Sequence, residues 1–107
     1  MSSIHIREYL DVEGRSPWAE WFAALDSRAA SKVAMAVYRI GAGNLSNVKG
    51  VGAGVMERVI DWGPGYRVYF ARDGATVVVL LGGSSKKRQQ QAIEEARDRW
   101  ADYRRRK

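Results

Sequence analysis

The sequence predicts an α+β domain: one mostly antiparallel sheet, a helical hairpin packed on one face, and a C-terminal helix. Three observations lead there. Apolar residues recur at helical spacing over 18–25 and 30–40. Three β-rich runs, 55–62, 66–72 and 76–81, are punctuated by Gly-Pro-Gly and Asp-Gly turns. Helical spacing then returns over 93–103. With a short alternating run at the start, the order is β-α-α-β-β-β-α.

Residues 4–9 alternate, with Ile4 and Ile6 on one side and His5, Arg7 and Tyr9 on the other, which reads as a short strand. Asp11-Val-Glu-Gly-Arg15 is a polar turn. Ser16-Pro17 starts a helix, Ser as N-cap and Pro at the first helical position. Trp18, Trp21, Phe22 and Leu25 fall on one face of it and are read as core. Asp26 or Ser27 caps a second helix reaching Ile40, with Ala30, Val33, Val37 and Ile40 as its buried stripe. Gly41-Ala-Gly43-Asn44 ends it, because Gly and Asn accept the left-handed cap.

Gly50-Val-Gly52-Ala-Gly54 is expected to be a flexible loop. Its glycines lead into a strand rather than from a strand into a helix, which argues against nucleotide binding. Gly63-Pro64-Gly65 and Asp73-Gly74 turn the chain between the three β-rich runs. The last run is continuously apolar, which suits a strand covered on both faces. Residues 82–88, Gly-Gly-Ser-Ser-Lys-Lys-Arg, read as a basic loop. A final helix over 89–103 carries Ile93, Ala96, Trp100 and Tyr103 on one face.

A chain of 107 residues, 46% of them apolar, matches one domain with a basic tail at 104–107. No cysteine is present, which excludes a disulfide framework, a thiolate zinc site and a cysteine nucleophile. The longest apolar run, 75–81, is too short to span a bilayer, and the Met-Ser-Ser-Ile-His-Ile start does not resemble a secretion signal. A soluble, cytoplasmic protein with no membrane partner is expected. The net charge of +6 is uneven: residues 54–107 hold twelve of the eighteen basic side chains and seven of the twelve acidic ones. Such a bias suits either a polyanionic partner or a merely solubilising tail.

One histidine and no clustered carboxylates leave no serine triad and no metal site, and neither a metal nor another cofactor is expected. His5, alone in the first strand, is read as incidental. What remains is Arg, Lys and Tyr around the Gly-Pro-Gly hairpin. Alternation puts Arg67 and Tyr69 on one strand face, Arg58 lies across the turn, and Lys86, Lys87 and Arg88 follow the last strand. If the faces agree, the sheet brings Arg58, Arg67 and the Lys86/Lys87 stretch together. Such a cluster can cleave RNA without a metal. The 2′-hydroxyl needs a base, the phosphorane needs cations, and the departing 5′-oxygen needs an acid. Arginine suits the stabilising role. A lysine crowded by cations has a depressed pKa and can move the proton. Tyr69 can stack on a base or shuttle a proton. Lys49, Arg72 and Arg88 are candidates for holding the RNA strand. The same arginines can equally be structural, paired with Glu57, Asp61 or Asp73.

The segment Gly54-Val-Met-Glu57-Arg58-Val-Ile-Asp-Trp-Gly63-Pro64-Gly65-Tyr66-Arg67-Val68-Tyr69-Phe70 closely resembles the central motif of RelE/HigB-like toxins, nearest to the phage-derived addiction module killer group. The 77–83 run with Lys86, Gln89, Ile93, Ala96 and Trp100-Ala-Asp-Tyr103 is similar to the rest of that signature, and the Pro17-Trp18 helix also fits. The resemblance implies a RelE-like fold and a type II toxin that cleaves mRNA in the ribosomal A site without a metal. It places a phosphate-contacting catalytic Arg on Arg67, a basic residue of the preceding strand on Arg58, and the basic residue after the final strand on Lys86 or Lys87. It also implies a helix-turn-helix antitoxin as partner, through which alone the complex meets operator DNA. The chain departs from the family in carrying Ser84-Ser85 after the Gly-Gly pair, where an acidic residue or Thr is common. Ile93 stands where the C-terminal Tyr or His would be, and Tyr103 reads as packing. Two alternatives follow: a ParE-like DNA gyrase inhibitor without nuclease activity, and a non-catalytic nucleic-acid-binding relative.

Overall fold

The computed structural model describes residues 4–107. Met1, Ser2 and Ser3, on which the expectation about a secretion signal partly rests, lie outside the described residues. The elements are β1 (His5–Glu8), α1 (Pro17–Ala23), α2 (Ser27–Gly41), β2 (Val48–Gly50), β3 (Met56–Ile60), β4 (Tyr66–Asp73), β5 (Val77–Ser85) and α3 (Gln89–Arg106). The five strands form one sheet in the order β1-β5-β4-β3-β2. All neighbours are antiparallel except β1 and β5, so the sheet is mixed and the class is α+β.

Local chemistry explains the helix boundaries. The Ser16 hydroxyl accepts the Ala19 amide at 3.0 Å, and the Asp26 carboxylate accepts that of Ala29 at 2.9 Å, each satisfying a donor that the first turn leaves free. The stripe that α2 buries is Ala29, Val33, Ala36 and Ile40, with Val37 only partly covered. It is rotated from the expected line, with Ala29 and Ala36 in place of Ala30 and Val37.

Helices cover both sheet faces. Trp18, Val33 and Ile40 of the hairpin pack on Val68, Phe70, Val78 and Leu80. On the opposite face Ile93, Ala96 and Trp100 of α3 pack on Tyr69, Ala71, Val79 and Leu81. Each buried Val, Leu, Ile or Phe among them stabilises the fold by about 1.5–3 kcal/mol. Central strand β4 is consequently buried on both sides from Arg67 to Ala71.

Three expectations need correction, and a bulge in β5 adds a further feature. The stretch around Gly50 is not wholly loop, because Val48–Gly50 adds to the edge of β3 as β2. Three residues ending in glycine are too short to show alternation. Strand β5 does not stop at Leu81 but continues to Ser85, and Lys86–Arg88 form a 3-10 turn that runs straight into α3. The continuation depends on Gly83, where an added Cβ would stand 2.3 Å from the Trp21 ring. The basic end is not a free tail: α3 includes Arg104, Arg105 and Arg106, and two carboxylates hold its end. Asp102 binds Arg105 and Arg106 at 2.7 Å each and accepts the Tyr9 hydroxyl at 2.6 Å. Asp73 accepts the Tyr103 hydroxyl at 2.7 Å and pairs with Lys107. Finally, β5 carries one extra residue opposite Tyr69 and Phe70: Tyr69 pairs with Gly82 while Phe70 pairs with Leu80. This bulge swaps the faces of everything beyond it.

Two predictions follow from this packing. Gly83→Ala should cost about 1–3 kcal/mol by chemical denaturation, since the Trp21 ring must move. Combined with Trp21→Ala the costs should be less than additive. The second concerns acid stability. Tyr9 and Arg106 hold the Asp102 carboxyl below its ordinary pKa, as Lys107 and Tyr103 do for Asp73. Folded pKa values lie below the unfolded value of about 4, so this stabilisation is present above that pH and is lost as pH falls through the folded values. The Asp73→Asn/Asp102→Asn variant should therefore lose less Tm than the wild type between neutral pH and about pH 3.

Candidate functional site

Strand parity decides which candidate residues meet. Ile60 pairs with Tyr66 across the Gly-Pro-Gly turn, so two residues back Arg58 stands opposite Val68 and Val59 opposite Arg67. Arg67 and Tyr69 therefore share the α3 face with Glu57, whereas Arg58 belongs to the α2 face. The expectation that Arg58 and Arg67 converge is overturned. Neither pairs with Glu57, Asp61 or Asp73 within 4.0 Å among the described residues, so the simple structural pairings fail too.

Under the N-terminal turns of α3 lies a buried polar cluster. Glu57 and Tyr69 are wholly inaccessible, and Ser84 and Arg67 nearly so. The Tyr69 hydroxyl meets Ser84 Oγ at 3.2 Å, a contact that exists because the β5 bulge turns Ser84 to this face. Gln89 donates to Glu57 Oε2 at 2.9 Å, and Lys49, exposed on β2, reaches Oε1 at 3.6 Å. Arg67 Nη1 donates to the Gly65 carbonyl at 2.7 Å. Glu57 Oε1 and Arg67 Nε are buried with no hydrogen-bond partner. A lone buried donor on a guanidinium is costly, and it stands ready for an acceptor.

Lys86 rises beside Arg67 at the same turn. A Cβ placed on Gly65 would lie 3.1 Å from Arg67 Nη1 and 3.5 Å from Lys86 Cβ, so both basic residues crowd one glycine. Gly65 itself adopts φ +74°, which favours glycine. Lys86, Lys87 and Arg88 are all exposed on the 3-10 turn. From there a groove of about 300 Å³ runs along the outer edge of β5, with Pro17, Trp21 and Tyr66 on one wall and Arg88, Gln91, Glu95 and Arg99 on the other, Glu95 lying 4.0 Å from Arg99. Trp21 and Tyr66 meet edge to face at 6.2 Å, while Arg99 Nη1 donates to the Leu81 carbonyl at 3.0 Å. Cations opposite aromatic rings suit a phosphate backbone with unstacked bases.

The remaining candidates stand apart. Arg72 braces the β4–β5 turn by donating to the Ala75 carbonyl at 2.9 Å, at the far end of β4 from Arg67. Lys49 is engaged with Glu57. Tyr69 cannot stack on a base in this conformation, because its ring is fully covered. His5 pairs with Val77, five residues along β5 from Gly82, where the groove begins, and so roughly 16 Å from it. Among the described residues no cluster of three or more His, Cys, Asp or Glu side chains is placed to hold a metal ion. No helix among them is long and apolar enough to cross a membrane. Glu57, Ser84, Gln89, Trp21, Tyr66 and Arg99 escaped the reading of the sequence as site residues. For Glu57 the signal was present: adjacent charges Glu57-Arg58 in a strand must point to opposite faces.

The chain matches no protein-family model, and no curated protein is significantly similar to it.

Burial, reinforced by the Glu57 carboxylate and opposed by Ser84 and Arg67, pushes the Tyr69 hydroxyl up to about 12. The neutral phenol thus stabilises the fold below its unfolded pKa of about 10, and this contribution is lost as pH rises through about 12. In an ultraviolet difference titration against Tyr69→Phe, the missing phenol should ionise near pH 12 rather than 10.

Proposed function

We propose that this chain is a RelE/HigB-like type II toxin, an mRNA endonuclease acting in the ribosomal A site and neutralised by a helix-turn-helix antitoxin. The observation that carries the reading is that Arg67 Nη1 and the base of the Lys86 side chain both flank Gly65, next to a groove lined by Trp21, Tyr66, Arg88, Glu95 and Arg99. Both the motif over 54–70 and the order of helices and strands are consistent with it. The extra strand β2 and the parallel pairing of β1 enlarge the expected plan without altering the order of the other elements.

In this reading the scissile phosphate sits at the Arg67 guanidinium, which has to turn outward from its buried position to present its fork to a phosphorane oxygen. The 2′-hydroxyl of the preceding ribose attacks phosphorus and the 5′-oxygen of the next nucleotide leaves. The products are a 2′,3′-cyclic phosphate and a 5′-hydroxyl. Lys86 and Lys87 are the exposed groups of the turn that can move the proton from one oxygen to the other. Trp21 and Tyr66 stack bases, and Arg88 and Arg99 follow the backbone. Arg58, Lys49, Arg72 and Tyr69 have no direct part in this step. The antitoxin is taken to cover the same basic mouth, and operator DNA is met only through it. Cytoplasmic residence belongs to this reading.

Two observations favour the ParE-like gyrase inhibitor as a second reading. Tyr69, the tyrosine on the same strand face as Arg67, is buried and hard to ionise, and the lone His is remote from the groove. Induction in cells separates the two. Mapping RNA 5′ ends should reveal new ends inside translated frames. Arg67→Ala should reduce them about 100- to 1000-fold, as removal of a transition-state donor does. Arg67→Lys should recover little, since the fork is lost. Intact mRNA together with inhibited gyrase supercoiling would instead establish the second reading.

A further inference from the structure

Arg58 is a buried cation without a carboxylate partner among the described residues. It is only 4% exposed, and its one hydrogen bond runs from Nη1 to the Asn44 carbonyl at 3.0 Å. Among the described residues no carboxylate comes within 4.0 Å of it. The charge that does act on it is of the same sign: burial and the neighbouring Arg39 both push its pKa down. A buried cation beside a second cation is strongly unfavourable unless an anion joins them.

Space for that anion exists. Between α2 and β3 lies a cleft of about 260 Å³ whose walls include Lys32, Arg39, Asn47, Arg58, Asp61 and Trp62. Three cations and one amide thus face a shared cavity. Asp61 lies on its exposed rim, out of ion-pair range of the arginines. A rim carboxylate repels a phosphate dianion more than a singly charged diester, so the cleft is better suited to the latter. Trp62 stands beside it, stacked on Tyr66 at 6.4 Å, with Lys32 Nζ 5.9 Å from its ring centroid. An aromatic ring next to a phosphate seat is the pairing by which single strands are held without base readout.

We propose that the α2–β3 cleft is a second nucleic-acid site, in which Arg58 and Arg39 hold one phosphodiester of single-stranded RNA and Trp62 stacks an adjacent base. It lies across the sheet from Arg67, and it binds whether or not the β5 groove cuts RNA. Lys32 extends the positive track along α2.

The test is fluorescence anisotropy with a short labelled oligouridylate, in a Lys86→Glu/Arg88→Glu background that disables the β5 groove. Adding Arg39→Glu or Lys32→Glu, both exposed positions, should weaken the remaining affinity about tenfold and flatten its salt dependence. Trp62→Ala should weaken binding while leaving the salt slope intact. Arg58→Met probes the buried charge itself. It should lose the RNA yet melt no lower than the wild type, because an apolar side chain replaces an unpaired cation. Affinities within about twofold across the Arg39 and Arg58 variants overturn the proposal. Displacement of the oligouridylate by polyglutamate of equal charge at lower concentration also overturns it, and assigns the cleft to an acidic protein.

Discussion

Strand β5 has to satisfy helices on both of its faces, and it does so by inserting one residue. Ahead of the bulge, Val79 and Leu81 face α3 while Val78 and Leu80 face the helical hairpin. Strict alternation would carry Ser84 to the hairpin side and Gly83 to the α3 side. The extra residue opposite Tyr69 and Phe70 reverses them, so that Gly83 lies beneath Trp21 and Ser84 meets Tyr69. Both faces depend on this shift. A larger residue at 83 would push away the ring that forms one groove wall, and a serine on the wrong face would leave the Tyr69 hydroxyl buried alone. The bulge is therefore what allows a packed sheet to carry polar chemistry at its end.

The distribution of buried charge follows from the same layering. A sheet covered on both sides has no solvent face on which to leave Glu57, Arg58 or Arg67, and each is resolved differently. Glu57 obtains Gln89 from α3 and Lys49 from β2. Arg67 reaches the turn carbonyl of Gly65 and keeps Nε free. Arg58 finds a single carbonyl and the like charge of Arg39. Unsatisfied buried cations reduce stability, and proteins retain them where an external partner supplies the missing charge. The two arginines lie on opposite faces, so such partners would meet the sheet from two directions.

Much of this was legible in the residues. The helix caps, the Gly-Pro-Gly and Asp-Gly turns and the aromatic stripes have local causes, and local patterns reveal them. Strand β2 was not legible because three residues cannot alternate visibly, and its existence depends on pairing with β3. The end of β5 was hidden because Gly-Gly-Ser-Ser has the composition of a loop. Only the Trp21 ring, more than sixty residues away in sequence, makes glycine the residue required there. At the site, the grouping of Arg67 with Tyr69 followed from alternation along one strand. The grouping with Arg58 failed because register across a turn, rather than proximity in sequence, decides the face.

Beyond the end of β1, the outer edge of β5 has no strand beside it among the described residues, from Gly82 to Ser85. An open edge of this kind is a template on which another chain's strand can add, and the usual outcome is aggregation. Here the bulge bends the edge, the Arg99 guanidinium occupies the Leu81 carbonyl, and Trp21 overhangs Gly83. The edge is thus guarded against promiscuous sheet growth by the residues that shape the groove. Loosening these guards to widen the groove would leave a bare strand end open to sheet addition.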